Sequence, residues 1–448
     1  MYDFLISVIA VVVVLGFMIL IHEFGHYAVA KWLGVRVEVF SIGFGKRLFG
    51  FTKGETDYRV AAIPLGGYVK MSGENPMDER TDDPREFLNH PRWHRFLIAI
   101  AGPTMNILLA VALLTVVYMV HYEYPVYLDK PAVIEGVRKD YPAALAGIQP
   151  GDRIVEIDGI HDPTWEQVQP RVWLSPNQPL TVMIQRGHDV FPKTLVPKAV
   201  TSSEIGAAGW FAEEPVVIGQ LDPGLPAAKA GLKENDKVVA MDGKPIPSIE
   251  SMIDSLQETK DQPVDLTVDR GNQTLNFRLK PVLAPTEDPH EQRYRLGFVN
   301  KGVTKVTTLP FPAALKLSIE QNKKYGALIL ELAKKLVEHK ISMKAISGPI
   351  GIAQDAGYAA QQKGWTPLME LTAGISLNLG IFNLLPIPIL DGGVILFLLI
   401  EGIMRRDISL AVKERVYQAA FVFLVLFAVM VIYNDIMKTL PGLADRLP

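Results

Sequence analysis

An apolar run over residues 4–21 ends in Ile21-His22-Glu23-Phe24-Gly25-His26, and no other stretch narrows the options for this chain as much. A run of this length without a charge reads as a bilayer-crossing helix. On a helix, positions i and i+4 share a face, so His22 and His26 aim two imidazoles at one point while Glu23 flanks them. Ionisable groups at the membrane-embedded end of a helix cost about 3 kcal/mol each near the bilayer centre, so they are rarely placed there without a functional partner. Two neutral imidazoles are the usual start of a catalytic Zn2+ site, which adds a third protein ligand and keeps one position open for water. Glu23 is then the candidate general base. The alternative is a histidine pair that hydrogen-bonds to its neighbours.

Composition supports a membrane reading. The chain has 448 residues, 49% of them hydrophobic, which is too long for one ordinary domain and too apolar for a purely soluble one. A net charge of −3 without a basic tract excludes a nucleic-acid partner. With no cysteine, neither a disulfide framework nor a thiolate metal site is available, so any metal is held by His and carboxylate. Met1-Tyr2-Asp3 lacks the basic start of a cleaved signal peptide, and no small-residue cleavage pattern precedes His22; the first span is expected to be retained as an anchor.

Lys31, Arg36, Lys46, Arg47, Lys53, Arg59 and Lys70 lie at or beyond the far end of the first span, which predicts that this end is cytoplasmic and the amino terminus outside. Residues 35–70 alternate aromatic and β-branched side chains with glycines, predicting short strands and hairpins. Such a sheet either lies against the helices and lines a wet cavity or stands apart as a cytoplasmic hairpin. Residues 77–95 are expected to form a polar surface loop with short helical turns. A second span covers 96–120 and holds Gly102, Pro103 and Asn106, the last read as glue between helices.

Residues 122–305 have the composition of a soluble protein and contain a repeat. Ala143 to Gly159 recurs as Ala227 to Gly243, each copy giving a short helix, a turn and a strand closing on Asp-Gly. Asn235 stands where the first copy has Gly151, and both tolerate positive φ. This pattern resembles PDZ domains of bacterial envelope proteases, modules that commonly accept a peptide along a sheet edge; peptide capture and exclusion of folded substrates by size both fit. Residues 311–344 place Tyr325, Leu328, Leu332 and Leu336 against four lysines, suiting a helix that lies on a membrane surface, braces the modules, or is an ordinary solvent-exposed helix.

The third apolar stretch, 368–403, is interrupted by Asn378, Asn383, Pro386, Pro388, Asp391, Gly392 and Gly393. Two prolines so close cannot sit inside a regular helix, so the chain is expected to unwind over 385–390 and to line a cavity there. A carboxylate at Asp391, in apolar surroundings, calls for a cation, and the one on offer is the ion held by His22 and His26. Arg405, Arg406, Lys413 and Arg415 mark a further cytoplasmic turn, and a last span at 416–433 completes four spans with both ends outside.

The histidine motif of the first span, Asn383-x-x-Pro386-x-Pro388-x-Leu390-Asp391-Gly392 in a late one, the Gly102-Pro103-x-x-Asn106 and Ser347-Gly348-Pro349-Ile350 segments, and the tandem PDZ insertion together resemble the site-2 protease family over nearly the whole chain. The resemblance implies a polytopic α-helical membrane protein of four transmembrane helices, with a membrane-associated β-loop and two extramembrane α+β PDZ-like domains. Its parts would be a transmembrane part at 1–121, PDZ-like domains at 122–213 and 214–305, an amphipathic region at 306–366 and a second transmembrane part at 367–448. It implies a zinc endopeptidase of the bacterial inner membrane, with the PDZ pair and both termini periplasmic. His22, His26 and Asp391 would be the Zn2+ ligands, Glu23 the base, and Asn383, Pro386 and Pro388, with Gly67 and Tyr68 of the β-loop, the substrate-handling residues. Substrates would be single-span membrane proteins already trimmed outside, typically an anti-sigma factor in an envelope stress response, and signal-peptide remnants, met within membrane lipid. Remnant removal as the main role, or a non-catalytic PDZ scaffold, are the competing readings.

Overall fold

The computed structural model describes residues 2–74, 83–200, 203–285, 292–362 and 364–439, so part of the loop expected at 77–95 lies outside the described residues. Contacts divide the chain into two compact units. The first is made of Met1–His121, Thr308–Leu330 and Ser347–Asp435; the second of Tyr122–Thr307 and Glu331–Ile346 with a short carboxyl-terminal piece.

The first unit begins with helix α1, Tyr2–Trp32, followed by strands β1, Val37–Lys53, and β2, Thr56–Met71, and by helix α2, Arg92–Val120. It continues with α3, Phe311–Val337, whose later turns belong to the second unit, then α4, Pro349–Gln361, α5, Thr366–Asn383, α6, Asp391–Met404, and α7, Leu410–Thr439. Among the described residues, three helices are long and apolar enough to cross a membrane: Ile6–Trp32, Arg92–Val120 and Leu410–Lys438. The stretch read from sequence as the third of four spans, unwound over 385–390, is two helices, α5 and α6, separated by residues 384–390. Neither half is long and apolar enough by itself. Pro386 and Pro388 cannot donate to a helical ladder, which is why it stops.

Helices α1 and α2 approach until a Cβ on Gly25 would lie 2.5 Å from the Ala101 carbonyl oxygen. Lipid is as apolar as leucine, so small residues at the crossing, and not large ones, let helices pack in a bilayer. The buried stripe of α3 follows the same logic. It is Ala314, Ser318 and Asn322, with the Ser318 hydroxyl donating to the Val111 carbonyl at 2.7 Å, while Tyr325, expected on the apolar face, is exposed.

The region expected to hold several short strands contains two long ones that double back. Phe40 pairs with both Val69 and Tyr58, and Ile42 with both Gly67 and Val60, while Phe51 pairs with Tyr58. Residues 37–44 are therefore an inner strand with 67–71 along one flank. An aromatic cluster of Tyr27, Phe40 and Tyr58 ties the sheet to α1, the two tyrosine hydroxyls bonding at 2.5 Å.

The second unit has two separate apolar cores, one around Ile134, Ile154, Val168 and Val182, the other around Val216, Val238, Leu256 and Leu266. The strands that open and close its main segment, Tyr122–Pro125 and Thr304–Thr307, pair antiparallel, so that segment begins and ends at one place. Residues 331–346 bind the first core region: Lys335 donates to the Leu174 carbonyl at 2.8 Å and Lys344 pairs with Glu204 at 2.7 Å. That is the bracing arrangement for this half of α3.

The sequence repeat is also a structural one. Arg186 Nε donates to Asp152 at 2.7 Å and its Nη2 to the Gly147 carbonyl at 2.9 Å; Arg270 does the same to Asp236 at 2.7 Å and to Gly231 at 2.9 Å. Gly151 and Asn235 both have positive φ, +88° and +73°. Burial pushes the Asp152 and Asp236 carboxyls up, but the arginines and the Gln149 and Lys233 amides more than offset it and hold both below their usual range. A depressed carboxylate supplies stability that is complete above its unfolded pKa and lost as pH falls through the folded one. Removing one partner of such a pair strands the other. Asp236→Asn should therefore cost about 3 kcal/mol in the second core alone, seen as faster amide exchange across Val216–Leu279 at neutral pH, with the difference shrinking as pH falls below the ordinary carboxylate range.

Candidate metal centre

The helical spacing does what the sequence suggests: His22 and His26 lie on one face of α1, both buried, with their Nε2 atoms 3.2 Å apart. Asp391, the first residue of α6, reaches them from the far end of the chain. Its Oδ2 lies 3.2 Å from His22 Nε2 and its Oδ1 3.4 Å from His26 Nε2. Tetrahedral Zn2+ with ligand bonds near 2.1 Å separates its donor atoms by about 3.4 Å. Among the described residues this is the only group of three potential ligands that converges in this way.

A hydrogen-bonded triad would give similar distances, so the far sides of the imidazoles decide whether a metal fits. His26 Nδ1–H donates to the Ile98 carbonyl at 2.7 Å, which fixes the tautomer and leaves the Nε2 lone pair facing Asp391 and His22. The Asn106 side-chain amide lies 3.2 Å from His22 Nδ1, and its Oδ1 is buried without a partner. Turning that amide over lets Oδ1 accept from Nδ1–H and frees the second Nε2 lone pair. Both histidines are then held as metal ligands are held, from behind, by α2.

A Cβ on Gly102 of α2 would collide with both imidazole rings, so that position has room only for glycine. Asn106, read from sequence as interhelical glue, is the positioning residue that reading missed. It lies one helical turn beyond Gly102, a spacing that gains meaning only once Gly102 is seen against the imidazoles.

The three donors open on a cavity of about 460 Å3 lined by Glu23, Gly67, Tyr68, Asn383 and Asp391, among others. Glu23 accepts a hydrogen bond from the Val69 backbone, and a Cβ on Gly67 would lie 3.2 Å from Glu23 Cγ, so the 67–71 strand runs directly along the candidate base. Tyr68 stacks on Phe44 with ring centroids 6.0 Å apart. Of the residues expected to handle substrate, Gly67, Tyr68 and Asn383 face this cavity. Pro386 and Pro388 do not line it, because they shape the turn behind Ile389 and Leu390, which do. Ile389 has φ +88°, a costly conformation for a β-branched residue, so the turn is held by its surroundings and not by local preference.

Loss of the buried amide should loosen His22 without removing a ligand. Asn106→Ala is expected to weaken metal retention by about tenfold to a hundredfold, measured as metal content of purified protein against increasing chelator.

Residues 10–427 match the model of peptidase family M50. Protease RseP of Yersinia pestis is 33% identical over 464 residues, covering 97% of this chain and 99% of the relative. The regulator of sigma-E protease RseP of Escherichia coli strain K12 is 31% identical over 469 residues, again 97% and 99%. A PDZ domain of an SdrC-like protein from Listeria monocytogenes matches 20% of this chain and 90% of its own, at 17% identity and a TM-score of 0.18, too slight to bear on the fold. With the family model spanning the histidine pair and Asp391 alike, the chain belongs to peptidase family M50, the site-2 proteases, and is an intramembrane zinc metalloprotease acting in regulated intramembrane proteolysis.

Proposed function

We propose that this protease cuts single-span membrane proteins inside the bilayer after their outer domains have been trimmed, with His22, His26 and Asp391 as zinc ligands and Glu23 as general base. The observation that carries the reading is the convergence of two imidazoles from α1 and one carboxylate from α6 on a cavity that also holds Glu23. Zinc, when bound there, polarises a carbonyl and makes a water acidic enough to attack it near neutral pH. Glu23 takes the proton of that water and later gives it to the leaving amide nitrogen.

A transmembrane helix hides its carbonyls in internal hydrogen bonds, so the substrate must unwind to be cut. The 67–71 strand, with Gly67 and Tyr68, takes up the opened segment by strand addition. Asn383 donates to backbone groups that have lost their partners, and Pro386 and Pro388 keep the chain open behind it.

The setting is the bacterial inner membrane. α5 and α6 together form the remaining crossing, giving four spans, with both termini and two PDZ-like modules, 122–213 and 214–305, in the periplasm. The name of the Escherichia coli relative, regulator of sigma-E protease, favours an anti-sigma factor as substrate over signal-peptide remnants. The PDZ pair acts as a size filter that excludes folded substrates.

Glu23→Gln should keep its metal yet lose cleavage of a model single-span substrate by at least about a thousandfold. Undiminished cleavage with metal bound would falsify the assignment of Glu23. Deleting residues 126–305 should admit substrates whose folded outer domain is intact, scored by gel after reconstitution; unchanged discrimination would remove the filter from the scheme.

A further inference from the structure

Beyond the last residue of β2 the chain turns, and Glu74 Oε2 accepts a hydrogen bond from the Met71 amide at 3.2 Å. This carboxylate stands where two cavities meet. It lines the metal-site cavity and also a second one of about 670 Å3, the two sharing Phe87, Ile389 and Val394 as well. Glu401, which also lines the second cavity, has partners: Lys413 pairs with it at 2.7 Å and the Ile408 amide donates to it at 3.1 Å. Glu74 is different. It is exposed to the cavity and forms no ion pair among the described residues. No Lys or Arg lines the metal-site cavity, whose ionisable groups are His22, Glu23, His26, Tyr68, Glu74 and Asp391. A carboxylate held in place at a cavity mouth without a counter-ion is matched to a cation that arrives with the ligand.

Position identifies that ligand. Gly67, at the start of the 67–71 flank, lies beside Glu23, whereas Met71 pairs with Val37 just past the end of α1. A peptide added to this strand advances about 3.3 Å per residue, so the part that reaches Glu74 is several residues from the part beside Glu23. It lies toward the end of α1 that is followed by Lys31 and Arg36. In a single-span membrane protein the segment just outside the cytoplasmic face is enriched in Lys and Arg. We propose that Glu74 is a specificity residue that recognises a Lys or Arg in the cytoplasmic juxtamembrane flank of the substrate. This rests on the reading of the protein as a protease of single-span substrates whose β1–β2 sheet is on the cytoplasmic side.

The test uses the full chain in liposomes with two model substrates that share one span and differ only in the cytoplasmic flank, Lys and Arg in one, Gln in the other. Wild type should favour the basic flank by about fivefold in kcat/KM, as a partly exposed ion pair allows, and the preference should shrink with added salt. Glu74→Gln should cut the basic-flank and neutral-flank substrates at the same rate, so that the fivefold ratio falls to about one. Glu74→Lys should favour a third substrate with an acidic flank, which keeps the test decisive if the glutamine variant is poorly folded. A Glu74→Gln enzyme that keeps the preference, or slows on both substrates alike, would overturn the role of Glu74 and leave the protease reading intact. Failure of metal-loaded wild type to cut any of the three would count against that reading instead.

Discussion

Everything in the first unit follows from placing two imidazoles and two carboxylates where lipid surrounds the chain. Each group loses hydration there, so each must be met by a partner from another element. His26 is met by the Ile98 carbonyl, His22 by Asn106, Glu23 by the Val69 backbone, and both histidines by Asp391. Those partners come from α2, β2 and α6. The folding of the unit is, in this sense, the assembly of its polar centre, since the apolar flanks of the helices gain little by leaving lipid for one another.

That balance explains which parts were legible in the sequence. His22, Glu23 and His26 sit on consecutive turns of one helix, so their convergence is a local matter. Asp391 stood out because a carboxylate inside an apolar run has no local reason to be there. Asn106 and the Ile98 carbonyl could not be assigned in the same way: an asparagine in a span suits any helix contact, and a backbone carbonyl leaves no trace in residue type. The doubled register of β1 and β2 was hidden for a related reason, because alternation reports which face a residue takes and not which neighbour it pairs with.

The helix at Phe311–Val337 changes what it packs along a single face. Ala314, Ser318 and Asn322 share that face with Leu328 and Leu332 further on, and the first three are buried while the two leucines are half-buried. Beside a span, leucine is content in lipid while serine and asparagine need protein partners, and the Ser318 bond to Val111 supplies one. The second unit has the ordinary pattern, with Ile, Val and Leu in both cores; among its described residues the deeply buried acids are Asp152 and Asp236, each answered by an arginine.

The break at residues 384–390 joins these themes. A continuous helix from Thr366 to Met404 would bury its middle carbonyls and amides in its own ladder and offer the cavity nothing but side chains. Stopping at Asn383 and restarting at Asp391 presents two helix ends of opposite polarity instead. The amino-terminal end of α6 carries partial positive charge, which favours the Asp391 carboxylate in the very turn where it meets the imidazoles. The carboxyl-terminal end of α5 brings Asn383 to the opposite part of the same cavity. Prolines that would damage a simple span, and an isoleucine forced to φ +88°, are therefore the means by which one apolar stretch delivers both an acidic group and an amide to a single chamber.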